Sequence, residues 1–171
     1  MTQQLERLAL VAHYVIARAD PSELGTARLN KILWLADVEH YRLYGRSITG
    51  LDAYTRMPDG PVPDGITAAL SLLKRSGRIA ERTAPLYGRR ELVWLRAPDL
   101  SEFDAPAVDT LNQVIERVRR QPAAFVSDVT HDDPLWQELE DGEPMPVRAG
   151  AVVTRTPRPR ELAWARAQES E

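Results

Sequence analysis

Residues 26–45, TARLNKILWLADVEHYRLYG, constrain the fold more than any other stretch, because as a helix they would be apolar or aromatic around most of the circumference. At 100° per residue, Leu29, Ile32, Leu33, Ala36 and Leu43 form one stripe with His40 inside it, and Asn30, Trp34, Asp37, Tyr41 and Tyr44 form the adjoining strip. Only Arg28, Lys31, Glu39 and Arg42 gather on the remaining face, which they share with Leu35. A helix covered in this way belongs at the centre of a domain. Thr26 suits its N-cap and Gly45 the left-handed position after its end. Asp37 and His40 then need partners, since an unmatched buried polar group costs about 1 to 3 kcal/mol. Lying three residues apart, they can pair with each other or with loop backbone. That structural reading outweighs both a catalytic acid–base pair and a partner contact.

The flanking segments follow from period and punctuation. Leu5, Leu8, Ala12 and Val15 predict a helix that Asp20-Pro21 stops. Leu51, Ala53, Thr55 and Met57 alternate with Asp52, Tyr54 and Arg56, which suggests a short strand with one buried face. The stretch PDGPVPDG, residues 58–65, reads as a turn-rich loop, its prolines and glycines denying both ladder and helix. Ile66, Ala69, Leu70 and Leu73 predict a helix closed by Gly77, and Ile79 to Arg96 a hairpin with ELVWL as second strand and a turn near PLYG. Asp104-Ala-Pro106 opens another helix, carrying Val108, Leu111, Ile115 and Val118 and ended by Pro122. The expected class is therefore mainly α (α+β): a single compact helical domain with a small antiparallel β element, a short strand plus a hairpin. It would occupy residues 1–150, with 151–171, which contains TRTPRPR, as a flexible tail or short helix.

Composition narrows the function. The 171 residues are 43% hydrophobic, enough for one core without staples, and the lack of cysteine excludes disulfides, thiolate metal sites and cysteine nucleophiles. Glu6, Arg7 and His13 interrupt the apolar N-terminus, which does not read as a signal peptide. No apolar run approaches the ~20 residues of a membrane span, so no membrane partner and a cytoplasmic location are expected. Charge is uneven: the segment from Lys74 to Arg96 carries +5 and that from Ala97 to Pro146 carries −9. Such runs are usually solvated faces, and the sharper reading is a basic docking patch.

Catalytic constellations are absent from the pattern. His13, His40 and His131 are the only histidines, and neither a G-x-S-x-G turn, a P-loop nor G-x-G-x-x-G occurs. His131-Asp132-Asp133 is the best local metal cluster, but adjacent residues in an extended segment diverge, and Asp133 reads better as the cap of a short helix from Pro134. No enzyme, cofactor or metal is expected. The alternative to a protein-binding module is a winged-helix-like DNA-binding regulator, with the helix from Ile66 in the major groove and Arg89-Arg90 in the wing. That helix offers only Thr67 and Ser71 to base edges up to Leu73, and the net charge is −3, so nucleic acid is disfavoured.

The run LNKILWLADVEHYRLYGRSITG, followed by GPVP at Gly60 to Pro63, resembles the Panacea domain, the SocA-like antitoxin family. A second stretch, SDVTHDDPLW from Ser127 to Trp136 with GEPMP from Gly142, is similar to the element that ends that domain, and the likeness spans roughly residues 24 to 147. Trp34 stands where tyrosine is usual in the family. The motif positions are Lys31, Trp34, Asp37, His40, Gly45, Gly60, Pro61, Val62, Ser127, His131 and Trp136, all read as structural. The resemblance implies an antitoxin of a prokaryotic or phage toxin-antitoxin system, binding a cognate protein toxin directly, with delivery to an ATP-dependent protease as a further mode. For such a partner the expected contacts are exposed aromatics and arginines: Tyr54, Tyr87, Arg89 and Arg90.

Overall fold

Two long helices open the computed structural model, which describes residues 2–85, 88–122, 132–152 and 159–168. They are α1 (Gln3–Arg18) and α2 (Thr26–Tyr44), joined by a 3-10 turn at Pro21–Glu23. Then come β1 (Ala53–Met57), β2 (Gly60–Pro63), α3 (Ile66–Arg75), β3 (Ile79–Thr83), β4 (Arg90–Trp94), α4 (Ala105–Arg119), α5 (Pro134–Glu138), β5 (Pro144–Pro146), α6 (Val147–Gly150) and α7 (Pro159–Gln168). The class is the expected one, mainly helical with two small antiparallel sheets.

Helix α2 is the centre of the packing, touching α1, α4, α6 and β2, while α1 also lies against α3 and β4. Leu29, Ile32, Leu33, Trp34, Ala36, Asp37 and His40 are buried on it. Gly45 ends it in the left-handed conformation, at φ 70°, with its N–H donating to the Tyr41 carbonyl. Two expectations for α2 need correction. Gly25, not Thr26, occupies the N-cap and supplies no side-chain bond, so Thr26 is the first helical residue. Leu43 and Tyr44, both counted in the covered circumference, are 62% and 47% exposed in the last turn; periodicity identifies a face but not how far the cover extends. The other expected stops hold: Asp20 caps the 3-10 turn, and Asp104 caps α4 by accepting from Ala107 N at 2.9 Å.

The stretch read as a loop is the main correction. Gly60–Pro63 pairs antiparallel with β1 across a two-residue turn at Pro58-Asp59, in the register Tyr54↔Pro63, Thr55↔Val62, Arg56↔Pro61 and Met57↔Gly60. On its other side β1 pairs with β5, giving the order β2-β1-β5. The hydrogen bonds show why prolines are tolerated. Arg56 N donates to Glu143 O, Gly142 N to Arg56 O, and Val147 N to Asp52 O, so the even-numbered residues of β1 bond towards β5 and the odd-numbered ones towards β2. Pro61 and Pro63 face even positions and Pro144 and Pro146 face odd ones, so all four nitrogens point out of the sheet, where no N–H is needed. The buried face of β1 is also the reverse of the one suggested by alternation: Tyr54 is fully buried and Met57 is exposed.

The second sheet is the expected hairpin of β3 and β4, in the register Ile79↔Trp94 to Thr83↔Arg90. Leu95 N bonds Arg78 O at one end and Ala84 N bonds Arg89 O at the other, while Leu92 N reaches Leu24 O and ties β4 to the turn after α1. Helix α6 closes against α2 through Gly150. A methyl group there would stand 2.7 Å from the Trp34 ring and 3.0 Å from Val38, so only glycine permits this approach.

Candidate functional site

Three polar residues of α2, Asn30, Asp37 and His40, turn inward. Asp37 is wholly buried, and its carboxylate accepts four hydrogen bonds: Oδ1 from Ile48 N at 2.7 Å and Thr49 N at 3.0 Å, and Oδ2 from the Thr49 hydroxyl and from Tyr54 Oη at 2.7 Å. The turn after Gly45 delivers Ile48 and Thr49, and β1 delivers Tyr54. Burial pushes the Asp37 carboxyl up from its ordinary value of 3.8, and the four donors pull it back. Burial and the neighbouring carboxylate push the Tyr54 phenol well above 10, so it stays protonated and donating. Asp37 and His40 do not pair; of the two arrangements open from sequence, the loop-backbone one is formed.

In each described core histidine a hydrogen bond fixes one ring nitrogen that carries a proton. His13 Nε2 lies 2.8 Å from the Arg96 carbonyl, which only accepts, so Nε2 carries the proton; buried Nδ1 has no partner among the described residues. Burial lowers His13, and Arg78 adds to it. His40 Nδ1 lies 3.2 Å from the Thr110 hydroxyl, which itself donates to Pro106 O at 3.0 Å, so Nδ1–H is the donor. Burial lowers His40 as well, against the pull of Asp104.

The remaining described motif residues join elements together. Trp34 meets Tyr54 edge to face at 5.2 Å. The half-buried Lys31 stem runs over Gly60, where an added Cβ would stand 3.1 Å from its Cε, and the φ of 131° there favours glycine. Arg56 lies 4.0 Å over the Trp136 ring, donates to the Trp136 carbonyl at 2.9 Å and pairs with Asp141, so one side chain fastens α5 and the approach to β5 onto β1. Asp133 caps α5 as expected, accepting from Leu135 N at 3.0 Å. Ser127 and His131 lie outside the described residues. No group of three metal-binding side chains occurs among the described residues, and no helix there is long and apolar enough to cross a membrane.

The expected contact residues fare unequally. Tyr54 is not a surface aromatic: it is 0% exposed and donates to Asp37, so it offers a partner nothing. The error came from the face of β1, which alternation alone does not fix. Tyr87 lies outside the described residues. Arg89 and Arg90 are exposed at the hairpin turn as expected, and Arg90 pairs with Glu81 at 2.9 Å. Sequence reasoning missed Trp94 and Leu95, 48% and 56% exposed at the opposite end of the hairpin. ELVWL read only as the second strand of the hairpin, and no local signal says which of its residues are exposed. An open groove of about 960 Å³ runs nearby between α1 and the end of α3, with Arg78, Asp99 and Glu102 on its wall.

These features define a small helical domain whose described motif residues serve the interior and whose β hairpin carries exposed Trp94, Arg89 and Arg90. Over residues 29–137 the chain matches the model described as antitoxin SocA-like, Panacea domain, and it belongs to that family. At that coarse level its role is that of an antitoxin. No curated protein and no solved structure matches the chain.

Two expectations follow. Asp37→Ala strands four buried donors and is expected to lower unfolding stability by about 3 kcal/mol in urea titration; Asp37→Asn should recover little, since its amide N–H groups would face donors. Wild-type stability in the alanine variant would refute the structural assignment. The second concerns pH. Both histidines have folded-state pKa values below 6.5, so between those values and 6.5 the unfolded chain binds protons that the folded chain does not. Their contribution is complete above 6.5 and declines as pH falls through it. Melting midpoints should drop on acidification from neutral pH, and His13→Gln, which retains a donor for Arg96 O, should flatten that slope; an unaltered slope would contradict the assignment.

Proposed function

We propose that this chain is a cytoplasmic antitoxin that neutralises a cognate protein toxin by direct, stoichiometric contact. The family match over residues 29–137 is the observation that carries the reading. The geometry supports it: Asp37, Tyr54, His13 and His40, the buried polar groups most suited to chemistry, are committed to internal bonds. The reading assigns no catalysis and no cofactor. Residues 1–150 are the binding domain, and 151–171, with the helix Pro159–Gln168, an appendage to it.

A DNA-binding role draws less support. Exposed Thr67, Ala68, Lys74 and Arg75 on α3 make a poor base-reading surface, and the hairpin cations Arg82 and Arg90 are tied to Glu91 and Glu81. Arg89 remains a candidate contact at the turn.

The test is co-expression of graded amounts of this chain with the product of the reading frame adjacent to its own, followed by size-exclusion chromatography of the pair. Rescue of growth should require at least one copy per toxin and coincide with a stable complex. An interface of this kind buries about 1,200 to 2,000 Å² and draws its energy from a few anchors. Rescue at strongly sub-stoichiometric levels without a stable complex would contradict sequestration and favour delivery to an ATP-dependent protease.

A further inference from the structure

The hairpin has two ends with different chemistry. At the turn end and along its strands, Glu81 is bonded by Lys74 and Arg90, and Glu91 by Arg82, so both acids of the basic segment are consumed there. At the other end, where β3 begins and β4 finishes, Trp94 lies across from Ile79, and Leu95 and Arg96 both donate through their N–H groups to the Arg78 carbonyl. The backbone of exposed Trp94 and Leu95 therefore lies beside that of Arg78, with Arg96 next along the chain, and the side chains of both arginines are also exposed. Arg75, at the end of α3, precedes Arg78 by three residues and is exposed too. None of these three arginines forms an ion pair among the described residues. Arg78 lies on the wall of the groove that also carries Asp99 and Glu102, and it helps to lower the Asp99 carboxyl, behind the hydrogen bonds from Ser101.

We propose that Trp94 and Leu95, with Arg75, Arg78 and Arg96 around them, form the docking surface for an acidic, apolar-anchored segment of the toxin. The proposal rests on the antitoxin reading and names the place and chemistry of the contact. Trp and Arg are the side chains that dominate binding hot spots, the first by desolvating a large rigid area and the second by pairing with carboxylates. In a chain of net charge −3, three arginines that form no ion pair among the described residues, beside an exposed tryptophan, suit a negatively charged partner. Three described acids of the stretch from Ala97 to Pro146 are engaged elsewhere: Asp104 bonds Arg46, Glu116 bonds Arg120, and Asp141 bonds Arg56. Nucleic acid would satisfy the cations too, but the overall negative charge opposes the long-range attraction on which such binding depends.

The test uses the full chain and the product of the adjacent reading frame, titrated by calorimetry at two salt concentrations. Trp94→Ala is expected to weaken the complex by roughly tenfold or more. Paired Arg78→Glu and Arg96→Glu should slow association and remove most of the salt dependence. These substitutions leave the backbone bonds of Arg78 and Arg96 in place, and thermal melting of each variant serves as the folding control. If wild type forms the complex and both variants bind unchanged, the docking surface is wrong and the antitoxin reading stands. If wild type forms no complex, both fall. Tight binding of duplex DNA from upstream of the reading frame, lost in the paired arginine variant, would assign the surface to nucleic acid and overturn the proposal.

Discussion

A single carboxylate joins the parts of this domain that come from distant places in the sequence. Asp37 projects from the middle of α2 and receives the Ile48 and Thr49 amides, the Thr49 hydroxyl and the Tyr54 phenol. The helix, the turn that leaves it and the first strand are thereby held at one point. An ionised carboxylate offers four lone-pair positions and no donor, and here all four are filled. Hydrogen bonds to a charged acceptor are worth about 1.5 to 3 kcal/mol each in favourable cases, which offsets the cost of removing the charge from water. With Tyr54 held by its hydroxyl, its ring lies edge-on to Trp34, and Trp34 in turn fixes the approach of α6 through Gly150. The motif A-D in α2 and the glycine that follows are parts of one mechanical unit.

The two small sheets protect their edges differently. In the three-stranded sheet, prolines occupy every outward-facing position of both edge strands, so an incoming strand finds no N–H to pair with. In the hairpin, the outward positions Glu81 and Thr83 on β3 have no backbone partner among the described residues, and the ion pairs of Lys74, Arg82 and Arg90 supply charge instead. The proline-edged sheet leans on α2 and serves the interior. The charged hairpin carries exposed side chains, Trp94 and Leu95 among them.

Helices and their ends were legible from sequence because their signals are local. Gly45, Asp20, Asp104 and Asp133 each act within a few residues of where they stand, and the apolar period of α2 announced its central place. The strands were not, since a strand's meaning lies in its partner. PDGPVPDG denies a ladder only if the prolines face the neighbouring strand, and nothing in eight residues says which way they face. The same limit placed Tyr54 on the wrong side of β1, because a period of two fixes alternation but not which half is buried. Asp37 was recognised as a buried group needing partners, but its four donors come from 11 to 17 residues away and could not be named. The exposure of Trp94 likewise depends on how far α1 and α3 reach along the hairpin.

Taken together, these features separate an interior, where the described motif residues are consumed in holding the fold, from the outer surface proposed to meet a partner. Amide hydrogen exchange on the seconds-to-minutes scale, with and without the toxin, tests that separation most directly. The account predicts that Ile48 and Thr49 are already protected in the free protein and that the toxin adds protection at residues 78–80 and 93–96. Fast exchange at Ile48 and Thr49 in the free protein, with toxin-induced protection confined to them, would contradict it by placing the motif itself at the interface.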